Sequence, residues 1–205
     1  MLNPGSMGQL ELSLVRTFVG LMSRDICIGG GASARIALPK CQDKLLDLYI
    51  ERAAEMEERT PYYGVVWPSA VGLARAVGAH VRDGDRVLEL GCGLGLGGIA
   101  SALTANPSQV LLTDYDPAAV RLARMSAKLS RVSHVVRSAP IDWNYRPSWA
   151  SLANTPLLTQ SYTATSRPCA GHRDPILGAL RPLPLLTHSG WLPPSRAALH
   201  DPPCL

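Results

Sequence analysis

The spacing of apolar positions changes along the 205-residue chain, and the changes divide it into three stretches. In residues 1–40, short apolar runs at Leu10–Val15, Asp25–Ile28 and Ala34–Leu38 read as β-like. Gly29-Gly30-Gly31 suits a turn between the last two, because glycine reaches positive φ without steric cost, and a β-hairpin is predicted there. From Gln42 to Arg59 the spacing becomes helical. Leu45, Leu46, Tyr49, Ile50, Ala53 and Met56 fall on one side, while Asp43, Asp47, Glu51, Glu55 and Glu58 form a solvated face. Pro61-Tyr62-Tyr63-Gly64 breaks that pattern. Pro68 then suits the first turn of a helix, where its missing N–H costs nothing, and Val71, Ala74, Val77 and Val81 carry that helix on.

The next stretch alternates between periods. Asp83-Gly84-Asp85 marks a turn, Arg86–Leu90 a strand, and Leu96–Thr104 a helix of small residues. A second strand, Val110–Thr113, ends at Asp114. Asp116 is placed to cap a helix with Pro117 at its first position and Val120, Ala123, Ala127 and Leu129 on its apolar face. A third strand, His134-Val135-Val136, leads to Ile141-Asp142-Trp143. Strand and helix alternating at this spacing predict a parallel sheet with crossover helices.

Residues 147–205 differ in kind. They hold ten of the seventeen prolines and neither Lys nor Glu, and their apolar residues follow no period. Each proline removes a ladder donor, so an irregular tail is expected.

Composition narrows the classes. The apolar share of 46% suits a globular chain, and at this length one domain with a core is expected. A net charge of +4, with arginines scattered among apolar residues, lacks the basic stripe of a direct nucleic-acid binder. Five cysteines without a CxxC pair suggest neither zinc nor a disulfide framework, so a reducing, cytoplasmic setting is the default. No apolar run reaches the ~18 residues that a membrane span needs. No signal peptide is read at the N-terminus. An organelle transit peptide stays open, because Glu11 is the one acid in the first 24 residues. The five histidines show no ligand spacing, and no metal site is expected.

Gly91-Cys92-Gly93-Leu94-Gly95 follows a strand and opens a helix, the context in which a glycine loop lets backbone approach a ligand. A dinucleotide fingerprint counted from the strand end would need glycine at 96, where Leu96 stands; Gly93, Gly95 and Gly98 match only in a shifted register. Glu89, two residues before the first glycine, would repel a pyrophosphate and suits a cationic ligand such as S-adenosylmethionine, which has no phosphate. Asp114 can accept both ribose hydroxyls, and Asp142 lies where an adenine amino group needs an acceptor. Plainer readings stand beside these. Glu89 could pair with Arg86 or a nearby helix, Asp114 could cap a helix, Asp142 could be turn chemistry, and Trp67 and Trp143 could be core aromatics. Cys92 is expected to contribute its backbone. Tyr62 and Tyr63 could line an acceptor pocket or pack.

Val87–Gly95 resembles the first motif of class I S-adenosylmethionine-dependent methyltransferases. The wider run resembles family 16, which includes protein-lysine and nicotinamide methyltransferase-like proteins. Tyr62–Ser69, Leu112-Thr113-Asp114 and Asp142-Trp143 carry that likeness, which spans about residues 35–146. It implies a Rossmann-like α/β fold in which Trp67, Gly91, Cys92, Gly93, Asp114 and Trp143 contact the cofactor. The expected organisation is a hairpin extension over 1–40, an incomplete cofactor domain over 41–146 and a Pro-rich tail over 147–205. Such proteins place acceptor chemistry on a fourth strand, in a run like Asp-Leu-Ile-Leu-Gly-Ser-Asp-Val-Val-Tyr. Here Asn144–Ala150 follows instead and no such run comes later, so no strand is predicted beyond 147 and the catalytic residues are unassigned. An altered reading of the gene, such as a retained intron, is the expected origin of the tail. Low stability and weak or absent catalysis are expected with it, because half a sheet leaves an edge and a helix layer uncovered. The leading expectation is a methyltransferase acting on a protein lysine or a small amine. The alternatives are a non-catalytic module that binds the cofactor or a partner, and an NAD(P)-dependent oxidoreductase. Oligomeric state is not legible.

Overall fold

The computed structural model describes the backbone of residues 4–54, 56, 59–142 and 157–160. The chain opens with helix α1 (Pro4–Leu14), continued by a π-helical turn over Val15–Val19. This corrects the β-like reading of Leu10–Val15. Gln9 to Leu14 lacks β-branched residues, and its straight side chains favour helix. The burial also defies the apolar pattern, since Glu11 is buried and Leu10 exposed.

The hairpin forms as predicted, from β1 (Leu21–Gly29) and β2 (Ala32–Pro39), with Gly29, Gly30 and Gly31 all at positive φ. Ala34, Ile36 and Leu38 of β2 are buried. The other edge of β2 meets helix α5 (Pro117–Leu129) through two serines. Ser126 Oγ accepts the Ala37 N–H at 3.0 Å, and Ser130 Oγ both accepts the Arg35 N–H and donates to its carbonyl. Side-chain hydroxyls thus satisfy strand groups that have no strand neighbour on that side.

Helix α2 covers Gln42–Glu51, shorter than the predicted run to Arg59. Arg52 leaves helical geometry at φ −116°, its guanidinium 5.1 Å from the centre of the Phe18 ring. The turns that follow carry Met56 fully into the core. The buried arc of α2 is Leu45, Leu48 and Tyr49, whereas Leu46 and Ile50, expected inside, are exposed. Helix α3 (Pro68–Val77) begins with its proline at the first turn and buries Ala74 and Val77, with Val81 buried beyond it.

The central sheet takes strands β3 (Arg86–Leu90), β4 (Gln109–Asp114), β5 (Val136–Pro140) and β6 (Leu157–Gln160) in the order β5-β4-β3-β6, all parallel. Helix α4 (Leu96–Thr104) crosses from β3 to β4, and α5 from β4 to β5. The third strand starts at Val136, later than expected: the Val135 N–H donates to Val132 O and closes a turn, while its carbonyl already accepts the Val110 N–H of β4 at 3.0 Å. Leu129, placed on the apolar face of α5 by spacing, is exposed at the helix end.

Beyond 147, where no strand was predicted, Leu157–Gln160 pairs with Val87–Leu90 and covers the free edge of β3. The other readings of the tail, and Trp143, lie outside the described residues. Among the described residues, no helix is long and apolar enough to cross a membrane.

Helix α4 lies close on the sheet. A Cβ at Gly98 would sit 2.3 Å from Leu112 Cδ2 and 2.9 Å from Val110 Cγ1, so only hydrogen fits there.

Candidate functional site

The C-terminal ends of β3 and β4 open onto a cavity of about 430 Å³, within the size range of small-molecule sites. The glycine loop forms its floor. Gly91, Gly93 and Gly95 have φ of 63°, 51° and 80°, a left-handed geometry that other residues enter only with strain. Two bonds pin the loop to β4. The Cys92 N–H donates to Thr113 O at 2.8 Å, and the Gly93 N–H donates to Asp114 Oδ2 at 2.8 Å. The Cys92 side chain is buried, and burial, then Asp114 and Glu89, push its thiol pKa well up. It stays protonated.

Asp114 is the carboxylate that faces this space. Its Oδ1 accepts the Asp116 N–H at 3.0 Å and its Oδ2 the Gly93 N–H, which leaves each oxygen a further lone pair. Burial pushes its pKa up to about 6, against the pull of the backbone N–H groups of Asp116, Gly93 and Tyr115. Capping of α5 falls to its neighbour: Asp116 Oδ1 accepts the Ala118 and Ala119 N–H groups at 2.8 and 3.3 Å.

Trp67 stands across the floor on the residue before α3, its indole N–H held by Tyr62 O at 2.8 Å. Val66, Ala70, Leu94 and Leu96 give the wall an apolar character. Both tyrosines line the cavity; Tyr62 is also exposed to solvent, whereas Tyr63 is buried and its hydroxyl lies 3.0 Å from that of Tyr49.

Glu89 does not line the cavity. It is 1% exposed, and its Oε2 accepts the Gly98 N–H of α4 at 2.8 Å, beneath the loop. The carboxylate therefore sits on donors at the helix N-terminus, the position that a pyrophosphate would take from above. Asp142 lies outside the cavity wall. It follows Ile141, whose N–H donates to Asp114 O at 2.9 Å, so the end of β5 comes alongside the end of β4.

The lining residues that were not foreseen include Arg59, Tyr115 and, beyond its cap, Asp116. Arg59 was read as the end of a helix. Its guanidinium pairs with Glu11 and lies 3.1 Å from Asp116 Oδ2. Burial opposes that charge, but Asp116 and Glu11 outweigh it and raise the Arg59 pKa. A single Arg before a Pro-Tyr-Tyr turn carries no pattern that could have announced this.

Comparison with known proteins adds the family. A family model described as lysine methyltransferase matches residues 48–157, more than half of the chain. The chain belongs to that family. A ribosomal protein L11 methyltransferase of Geobacillus kaustophilus is 36% identical over 86 residues, covering 42% of this chain and 27% of the relative. An electron transfer flavoprotein beta subunit lysine methyltransferase of Xenopus laevis is 31% identical over 100 residues, covering 48% and 38%. The chain thus spans between about a quarter and two-fifths of the length of these relatives. Among solved structures, a tRNA m1G37 methyltransferase of M. jannaschii overlaps 38% of this chain and 23% of its own, at 22% identity and a TM-score of 0.34.

Proposed function

We propose that the cavity holds S-adenosylmethionine and that the protein built on it methylates an amine, first of all a protein lysine. The carrying observation is the division of labour between two carboxylates. Glu89 fills the α4 N-terminus from below, while Asp114 borders the open cavity with lone pairs to spare. A phosphate ligand meets a buried negative charge where it needs donors; a ligand with a ribose and a sulfonium meets an acceptor in Asp114, while Asp116 offsets the charge of Arg59 on the same wall.

The residues present fit that ligand. Asp114 would accept ribose hydroxyls, the Gly91–Gly93 backbone would run beside the amino-acid portion, and Trp67 would cover a flat or apolar part. Asp142 and Trp143, beyond the end of β5, are our candidates for the adenine side. When bound, the cofactor supplies an electrophilic methyl group. The protein's part is to align an acceptor nitrogen with it and to keep water out. A protein lysine as acceptor is proposed from the ribosomal protein L11 and electron transfer flavoprotein relatives, whose names concern protein substrates; a small amine is the alternative acceptor. We place the protein in the cytoplasm on its unpatterned cysteines, and expect no nucleic acid or membrane as a direct partner.

A second reading, cofactor binding without transfer, draws on β6, which is only four residues long at the strand position where acceptor chemistry was expected. Calorimetric titration of the chain with S-adenosylmethionine, S-adenosylhomocysteine and NAD separates the readings. The first two should bind and NAD should not; binding of NAD alone refutes the proposal. Binding without methyl transfer to lysate proteins favours the second reading.

A further inference from the structure

We infer that helix α1 belongs to the mount of the cofactor cavity, with Glu11 a positioning residue that acts on the Asp114–Asp116 segment through Arg59 and Asp116. This rests on the reading of the cavity as an S-adenosylmethionine site.

Glu11 lies on α1 and is 3% exposed, so its charge is held away from water. It faces Arg59, with Oε1 paired to Nη2 and Oε2 3.5 Å from Nη1. The same Nη1 is 3.1 Å from Asp116 Oδ2, which also accepts the Tyr49 hydroxyl at 3.0 Å. The Asp116 N–H donates to Asp114 Oδ1, and Asp114 in turn holds the glycine loop. Arg59, Asp114 and Asp116 border the cavity; Glu11 does not. A continuous set of charge-assisted bonds therefore joins a helix outside the cavity to its binding carboxylate.

One guanidinium shared by two buried carboxylates takes its position from both. Neutralising Glu11 weakens one side, and Arg59 is drawn toward Asp116. Its guanidinium also sits 6.0 Å from the Tyr115 ring centre, so the ring beside Asp114 moves with it. The wall changes shape although no residue that touches ligand has been altered.

The test uses the full chain, wild type and Glu11→Gln, titrated with S-adenosylhomocysteine, together with amide exchange of the wild type with and without that ligand. Glu11→Gln should raise Kd on the order of 5-fold or more, and Glu11→Asp, which keeps the charge, should recover most of the affinity. By linkage, ligand should slow exchange at residues 9–14 of the wild type. A helix that served only the fold would lower Tm in Glu11→Gln and leave Kd unchanged; that result overturns the inference. Should Glu11→Gln fail to fold, the wild-type exchange decides alone, and unchanged protection of α1 overturns it. Wild type that binds no ligand overturns the reading of the cavity itself, and this inference with it.

Discussion

In the proposed site, Asp114 gives cofactor binding a pH dependence of definite sign. Burial pushes its pKa up to about 6 from 3.8, so it titrates where the protein can be handled on both sides. Protonation puts a hydrogen on an oxygen that would accept a ribose hydroxyl and removes the charge that strengthens the bond. Near pH 8 almost every Asp114 is ionised; near pH 5 about ten in eleven carry the proton. If the ionised form binds, the Kd of S-adenosylhomocysteine rises ~10-fold between those limits, about 1.4 kcal/mol. The ligand's own amino and carboxyl groups do not titrate in that range. Stability runs the other way. The folded pKa lies above the unfolded one, so the native state keeps the proton longer. The contribution of this group to stability is present below about pH 4 and lost as pH rises through about 6. The ligand-free chain should lose stability from this group over the window in which ligand binding gains. Asp116 is also raised, by burial first with Arg59 opposing, and is the obvious confounder. Asp114→Asn separates the two: it should bind more weakly near pH 8 and show a flat profile. Calorimetry at several pH values supplies the data. A flat wild-type profile, or a slope that survives in Asp114→Asn, refutes the reasoning.

Two substitutions test the support of the site. Gly98→Ala places a methyl 2.3 Å from Leu112 Cδ2 and should lose about 1–3 kcal/mol in urea denaturation; an unmoved midpoint would show that α4 is not seated as described. Asp116→Ala removes the cap of α5 and one partner each of Arg59 and Tyr49, and should cost at least ~2 kcal/mol by thermal melting. Asp116→Asn, which can still cap, should cost less; equal losses would assign the whole effect to the charge.

Local chemistry made the central elements legible. Strand β3 and helix α4 fall at the residues their spacing predicts, and Asp116 with Pro117 starts α5 as a cap and first-turn proline do. The hairpin was legible because three successive glycines leave the chain little else to do. What escaped depends on neighbours distant in sequence. Leu46 and Ile50 fit an apolar face, but the buried arc of α2 is set by the elements it meets, and these select Leu45, Leu48 and Tyr49. Strand β6 escaped because a four-residue Leu-Leu-Thr-Gln segment has no periodicity of its own; it becomes a strand only against the edge of β3. The buried Glu11–Arg59–Asp116 set escaped because its members lie on three elements whose meeting no local pattern encodes.

Glu89 takes a place that the sequence argument did not assign to it. It was expected to meet a cationic ligand because it would repel a phosphate. Its place one residue before Leu90 turns it under the loop, where Gly97 and Gly98 leave room for a carboxylate against the α4 backbone: a Cβ at Gly97 would lie 2.8 Å from Glu89 Oε1. There it meets donors of the helix N-terminus and gives up any contact with the cavity. Repulsion of phosphate survives this relocation, since a buried charge behind the loop is screened less than an exposed one in front of it. Attraction of a ligand cation does not survive as a contact; it becomes a field acting through the loop. Asp114, which borders the cavity, is then the residue of this pair placed to meet a ligand directly, and for that reason the pH dependence of binding should follow Asp114 and not Glu89.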